Sequence, residues 1–294
     1  MRDLVGAHVS SAGGVALAPA RGAAVGATAI QVFTKTPNQW RDPVIDDGEA
    51  AAFRAALAAH GIRAVVAHDS YLINLASPDP TLWHRSLRSF IAELTRCRAL
   101  GILAVVSHPG NHIAGRTAGL ERNAGGYATA LDTVPGVAVW IEGTAGSGTA
   151  LGATFVELAE LRDRIPPGLR DRVGVCLDTA HLHAAGYDLT GGWQALWDAF
   201  DRTVGPAHLR CLHLNDSQAV RGSRLDRHEW IGDGTIGPDP FRRVMREPRF
   251  ARVVKIIETP KRDDPVRHDR RMLRRLRGYA RGGRPSGTEG FACD

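Results

Sequence analysis

The stretch VGVCLDTAHLHAAGYDL (173–189) sets an acid and two histidines at the end of an apolar run. Asp178 and His181 stand at i and i+3, a spacing that brings two side chains onto one side of a helical turn. His183 follows two residues later. The same kind of ending recurs along the chain. AVVAH ends at His68, LAVVSH at His108, VAVWIE at Glu142 and VVKIIE at Glu258. LRCLHLND places His213 near its end, and LVGAHVS does the same for His8. Asp226 and His228 lie in the Gly-rich stretch LDRHEWIGDGTIG, and i, i+2 spacing projects both from one side of an extended segment. A lone strand-end histidine is usually a hydrogen-bonded structural residue, but so many coincident ligand types point elsewhere. Carboxylates crowded together repel and raise one another's pKa unless a cation compensates. A mixed imidazole and carboxylate shell without cysteine suits an open site for zinc, manganese or iron. The residues alone leave open which of His181 and His183 belongs to it.

These side chains need a frame that brings strand ends together. Eight short apolar runs recur, at 4–10, 27–34, 64–68, 103–108, 137–142, 173–178, 209–216 and 253–258. Near-continuous apolar runs of this length are the pattern of parallel strands buried on both faces. Amphipathic segments separate them. Leu87, Phe90, Ile91 and Leu94 mark one face of a helix over 81–100, with Gly101 as its cap. Phe53 and Leu57 do the same over 49–61, and 155–165 and 191–200 read as further helices. Eight β–α units predict an α/β fold, a single-domain (β/α)8 TIM barrel over residues 1–281. Strand C-termini then converge on one catalytic face. Residues 282–294, GGRPSGTEGFACD, read as a disordered tail.

Composition agrees with one large domain: 294 residues, 44% hydrophobic and 23% charged. The net charge of +6 is local. Residues 261–284 carry ten Lys or Arg against three Asp, so the rest of the chain is close to neutral. That excludes a uniformly basic nucleic-acid-coating protein. It leaves either a positive surface near the C-terminus that steers a polyanion or a solvated Arg-rich helix. No apolar stretch approaches the ~20 residues that span a bilayer, and MRDLVGAHVS has no charged-then-apolar targeting pattern. Together these point to the cytosol. Cys97, Cys176, Cys211 and Cys293 form no CxxC pair, which predicts reduced thiols, buried where the flanking segment is apolar.

Several longer motifs carry a family resemblance. GAHVSSAGG (6–14), HDSYLINLASP (68–78), HPG (108–110), EGTAGSGTALG (142–152), VCLDTAHLHAAGYDL (175–189), HLND (213–216), DRHEWIGDGTIG (226–237) and IETP (257–260) closely resemble the endonuclease IV family of apurinic/apyrimidinic endonucleases. The match runs in order through all eight strands. It implies a trinuclear zinc TIM-barrel enzyme of DNA repair, acting as a monomer on double-stranded DNA. Position by position, it implies nine metal ligands. His68 and His108 hold the first zinc, and Glu142 bridges it to the second. Asp178, His213 and Glu258 complete the second, and His181, Asp226 and His228 hold the third. Three Zn2+ per chain are expected, with Mn2+ an alternative in place of one. The implied reaction is hydrolysis 5′ to an abasic site, giving a 3′-hydroxyl and a 5′-deoxyribose phosphate, with trimming of blocked 3′ ends. The cluster of Glu142, His68 and His108 would activate the attacking water, and the third zinc would neutralise the departing 3′-oxygen. An abasic sugar has no base to read, so recognition is steric, and apolar or aromatic wedges belong at the barrel mouth. Tyr71 and Leu72 fit that role, with Gln39 and Asn38 in FTKTPNQW and His8 as further DNA contacts. His183, His60, His84, His112, His208 and His268 are left with surface or packing roles.

Two positions depart from the family pattern. Gly143 stands where Asn commonly follows the Glu, and Asn38 where some relatives carry Arg. The first removes side-chain hydrogen bonds expected to support Glu142; the second alters the loop expected to probe the minor groove. The same barrel and metal shell also serve sugar isomerases and epimerases, which use one or two metals and have no use for the His181–Asp226–His228 set. A DNA-binding protein without catalysis would be expected to show gaps in the ligand set, and none is seen.

Overall fold

Alternation along each strand decides what the chain presents to the barrel interior. The computed structural model describes residues 4–113 and 115–281. Its strands are β1 (Val5–His8), β2 (Ala29–Val32), β3 (Ala64–His68), β4 (Ala104–Ser107), β5 (Ala138–Glu142), β6 (Val173–Asp178), β7 (Leu209–His213), β8 (Asp216–Ser217), β9 (His228–Glu229) and β10 (Val254–Ile257). Eight of them close a parallel barrel in the order β1-β10-β7-β6-β5-β4-β3-β2. The eight predicted runs coincide with these eight strands. Most strands are one or two residues shorter at an end than the predicted runs, and the largest difference is at the seventh, which stops at His213 rather than running on to Asp216. Asp216 and Ser217 turn away to pair antiparallel with β9.

Side chains alternate across a strand with a period of two. The outward set packs under the helices in one large apolar cluster that includes Val65, Val105, Val139, Val175 and Leu177. The inward set forms a second cluster that fills the lumen: Ala29, Ala64, Val66, Ala104, Val106, Trp140, Cys176, Cys211, Val254 and Ile256. One more step of two beyond these residues reaches Gln31, His68, His108, Glu142, Asp178, His213 and Glu258. The apolar stripes therefore end, strand by strand, in polar residues on one rim. Gly6 lets β1 close against β2, since a Cβ there would sit 1.5 Å from the Ala29 carbonyl oxygen.

The helices are α1 (Ala18–Ala24), α2 (Asp47–Ala59), α3 (Pro80–Leu100), α4 (Arg116–Thr133), α5 (Phe155–Arg164), α6 (Thr179–Ala185), α7 (Trp193–Thr203), α8 (Pro238–Arg246) and α9 (Pro265–Ala280). In α3, Asp79 caps the first turn by accepting from the Thr81 and Leu82 amides, and Gly101 ends it in a left-handed conformation, φ 76°. Phe90 and Leu94 are fully buried, with Leu87 and Ile91 packed at the edge. Burying each such side chain stabilises the fold by ~1.5–3 kcal/mol. Among the described residues no helix is long and apolar enough to cross a membrane. The expected tail, 282–294, lies outside the described residues.

Candidate metal centre

Glu142 is the middle of the rim. Its carboxylate is fully enclosed and faces four imidazoles: His68 Nε2 at 3.1 Å, His213 Nδ1 at 3.0 Å, His108 Nε2 at 3.4 Å and His181 Nδ1 at 3.4 Å. Burial would raise its pKa, but His213, His108 and His68 outweigh that and hold it well below the usual carboxylate range. Around it the ligand-type atoms fall into three groups within 4.8 Å: His68–His108–Glu142, Glu142–Asp178–His213–Glu258 and Asp178–His181–His228. Asp226 joins the third, with its oxygens 3.2 Å from His181 Nε2 and 3.1 Å from His228 Nε2. All nine residues implied as ligands therefore meet in one place.

The chemistry of this donor set fits metal ions. His228 Nε2 is buried without a hydrogen bond, between carboxylate oxygens of Asp226 and, at 3.6 Å, Asp178. A buried nitrogen left so among acids is what a ligand atom without its ion looks like. Burial alone would lower the His181 pKa; Asp178, Asp226 and Glu142 raise it instead, to about 10. The same opposition raises His68 to about 9, mainly through Glu142, and His228 to about 9, through Asp178 and Asp226.

A shell of neighbours orients these side chains, and the sequence reading missed most of it. Gln31 Oε1 accepts from His213 Nε2 at 2.9 Å, while its Nε2 donates to Glu258 at 2.6 Å. That arrangement leaves His213 Nδ1 facing the acids. Asn215 donates to Asp178 at 2.6 Å and accepts from the Glu258 amide at 2.8 Å. Asp216 accepts from the Ser217, Gly232 and Ile236 amides, which moulds the Gly-rich loop beyond His228. A polar residue in the centre of AIQV was the one available signal. The Gly143 expectation also changes. Its backbone carbonyl accepts from His181 Nδ1 at 2.9 Å, so that position supports His181 without a side chain. Nor is the neighbourhood free of cysteine, as the sequence reading had it. Cys176 and Cys211 lie against His213, because strand alternation puts both on the lumen side, one step below the rim.

A cleft of about 920 Å³ opens over this centre, lined among others by His8, Ser10, Phe33, Lys35, Gln39, His68, His108, His181, Asp226, His228, Glu258 and Lys261. A smaller cavity of about 250 Å³ adjoins it past Tyr71, Asn111 and Ser147. Tyr71 is 69% exposed on the rim, its ring edge-on to Phe33 at 5.3 Å; Leu72 is half-buried beside it. Asn38 and Gln39 are exposed on the loop after β2. His8 Nδ1 lies 3.0 Å from Glu258. His183 lies outside the cluster, with Nε2 3.2 Å from the Thr235 hydroxyl. His268 stacks on Trp230 at 4.6 Å.

The loop carrying Asn38 and Gln39 is clamped at both ends to α3 by buried charges. Arg96 donates to Thr34 at 2.7 Å, to Glu93 at 2.6 Å and to Asp42 at 3.1 Å. Lys35 reaches Ser89 at 2.8 Å and Asp42 at 3.0 Å. Removing one partner of such a pair strands the other in the interior, at ~3–5 kcal/mol. Arg96→Met is therefore expected to lower unfolding stability by that amount in denaturant melts, and Arg96→Met/Glu93→Leu to recover a large part of it. Equal losses in the single and double variants would show that the clamp is not coupled.

A family profile described as xylose isomerase-like TIM barrel matches residues 19–276. A protein of Geobacter sulfurreducens named "Probable endonuclease 4" is 47% identical over 270 residues, 90% of each chain. One of the same name from Chloroflexus aurantiacus is 45% identical over 282 residues, 94% of this chain and 98% of the other. The crystal structure of endonuclease IV from Thermus thermophilus superposes with a TM-score of 0.84 at 38% identity, covering 95% of this chain and 99% of that one. A D-psicose 3-epimerase shares the fold alone, at 18% identity and a TM-score of 0.64. With relatives this similar over almost its whole length, the chain belongs to the endonuclease IV family of apurinic/apyrimidinic endonucleases, as its motifs implied.

Proposed function

We propose that this enzyme hydrolyses the phosphodiester bond 5′ to an abasic site in double-stranded DNA, leaving a 3′-hydroxyl and a 5′-deoxyribose phosphate, and that it trims blocked 3′ ends. It acts as a monomer in the cytoplasm, on the nucleoid. The observation that supports this most is the overlap of the three ligand groups: Glu142 belongs to two and Asp178 to two. Carboxylates shared between groups would let bound cations act together on one phosphate. His68, His108 and Glu142 would hold the first zinc, Glu142, Asp178, His213 and Glu258 the second, and His181, Asp226 and His228 the third. Their oxygen and imidazole donors also accept Mn2+ in place of one. When bound, the ions supply a nucleophile near neutral pH and positive charge for the phosphate and leaving oxygens.

The protein's own residues do the rest. Glu142 would hold metal in both of the groups it belongs to, without serving as a proton acceptor. Gln31, Asn215 and the Gly143 carbonyl hold His213, Asp178 and His181 in their ligating orientations. Tyr71 and Leu72 enter the duplex where a base is missing, and the Phe33 ring behind Tyr71 keeps that wedge upright. His8, Asn38 and Gln39 line the path of the backbone.

Incision of an abasic duplex oligonucleotide, with and without chelator and with an aldose as control substrate, tests the reading. Loss of incision on chelation and recovery with zinc are expected. Incision unchanged by metal removal, or turnover of the aldose instead, would sink it. Uptake of metal should also release protons. His68, His181 and His228 carry them up to pH 9–10 in the metal-free chain, and ligating imidazole must be neutral. Zinc affinity should thus rise with pH from 7 towards 10, and calorimetry in two buffers of different ionisation heat should report the released protons.

A further inference from the structure

Beneath the rim the lumen holds two thiols that the proposed reaction does not use. Cys176 on β6 and Cys211 on β7 are direct partners in the parallel ladder. Both point inward, as do Asp178 and His213 two residues further on. Both are fully buried and free of disulfide bonds. The two sulfurs and an imidazole nitrogen of His213 lie within 4.8 Å of one another. Buried cysteine commonly acts as a small apolar residue. Simple packing, however, does not require two thiols and a histidine to converge in this way.

We propose that Cys176, Cys211 and His213 form a separate site for a soft divalent cation, of the class of Cd2+ or Hg2+, that competes with the carboxylate set for His213. Thiolate sulfur selects soft ions over the oxygen-preferring ones. Two thiolates and a neutral imidazole balance a dication in a lumen walled by Ala64, Val66, Val106 and Ile256, where uncompensated charge is strongly disfavoured. Binding converts two thiols to thiolates, and both protons leave to solvent; no electrons move. The approach is from the cleft, past the rim, so the metal-depleted chain takes up the ion most readily. His213 also belongs to the group with Glu142, Asp178 and Glu258, so an ion seated on sulfur withdraws a ligand from that group. This last consequence rests on the function proposed above; occupation of the sulfur site does not.

Titration of the metal-depleted full chain with Cd2+, followed by the ultraviolet sulfur-to-cadmium charge-transfer band, tests the site. The band should saturate at one ion per chain, persist in Cys97→Ala/Cys293→Ala, and vanish in Cys211→Ala and in Cys176→Ala. Absence of the band in the wild type, or its survival in both single variants, overturns the proposal. A second arm reads activity. Zinc-loaded Cys211→Ala should incise abasic DNA at the wild-type rate and resist a cadmium challenge that lowers wild-type incision by about tenfold or more, the scale of lost support to a metal ligand. Equal inhibition of both proteins overturns the competition for His213. If zinc-loaded wild type does not incise at all, the functional reading fails while the spectroscopic result still stands.

Discussion

Glu142→Gln is expected to reduce incision of abasic DNA by more than about a thousandfold in kcat/KM, beyond the 10–100-fold typical of residues that merely support a ligand. At ~1.4 kcal/mol per decade this is ~4 kcal/mol of lost transition-state stabilisation. The amide keeps the shape but removes the charge, and its NH2 group offers donors where a bridging ligand must accept. Two of the three ligand groups contain Glu142, so metal content should fall by more than one ion per chain while binding of abasic duplex persists. A second readout separates fold from chemistry. In the metal-free chain the same carboxylate faces His68, His108, His181 and His213. His68 and His181 hold protons up to about 9 and 10, so neutralising Glu142 leaves them without their shared counter-charge. The variant should lose ~3–5 kcal/mol of stability at pH 7. The difference should shrink above pH 9–10, where His68 and His181 of the wild type have themselves become neutral and their ion pairs with Glu142 are gone. Incision by Glu142→Gln within tenfold of wild type would falsify the central role given to this residue.

The neighbouring histidines of α6 should separate cleanly. His181→Ala is expected to lose about one zinc per chain and more than about a hundredfold in incision, since on the proposed assignment it removes a ligand rather than a support. His183→Ala should keep all of its metal and near-normal activity, and lose ~1 kcal/mol of stability with its bond to Thr235. Metal analysis and incision assays on the two purified variants decide the matter. Equal metal loss in both would mean that the third site is not where the geometry puts it. The contrast is set by α6 itself. Asp178 caps the helix by accepting from the Ala180 and His181 amides, which starts the first turn at the rim. His181 then falls on the side facing Glu142 and Asp226, and His183, two residues on, turns away towards Thr235.

Much of this protein could be read from one-dimensional patterns. Parallel strands buried on both faces are apolar throughout, so all eight announce themselves, and β3 and β6 match the predicted limits to the residue. Strand-end acids and histidines stood out because such residues are expensive at the end of an apolar run unless something holds them. The i, i+3 spacing to Asp178 and the family motifs together then separated His181 from His183. Local chemistry decided these features, and local chemistry is present in sequence.

Only the closed barrel decided the rest. Ser89, Glu93 and Arg96 lie off the apolar face of α3 that the sequence marks, yet they are buried. Thr34, Lys35 and Asp42, some fifty to sixty residues away in the chain, supply the partners that make this burial tolerable. Gln31 is an isolated polar residue until closure sets it between His213 and Glu258. Cys176 and Cys211 are two scattered cysteines until adjacent strands align them. Even the ligand set was only a list of endings in sequence. Each strand's period of two fixes which side chains face inward, but the relative height of eight inward stripes depends on the stagger between strands. That stagger exists only once the sheet closes on itself, and it brings seven strand ends level around Glu142.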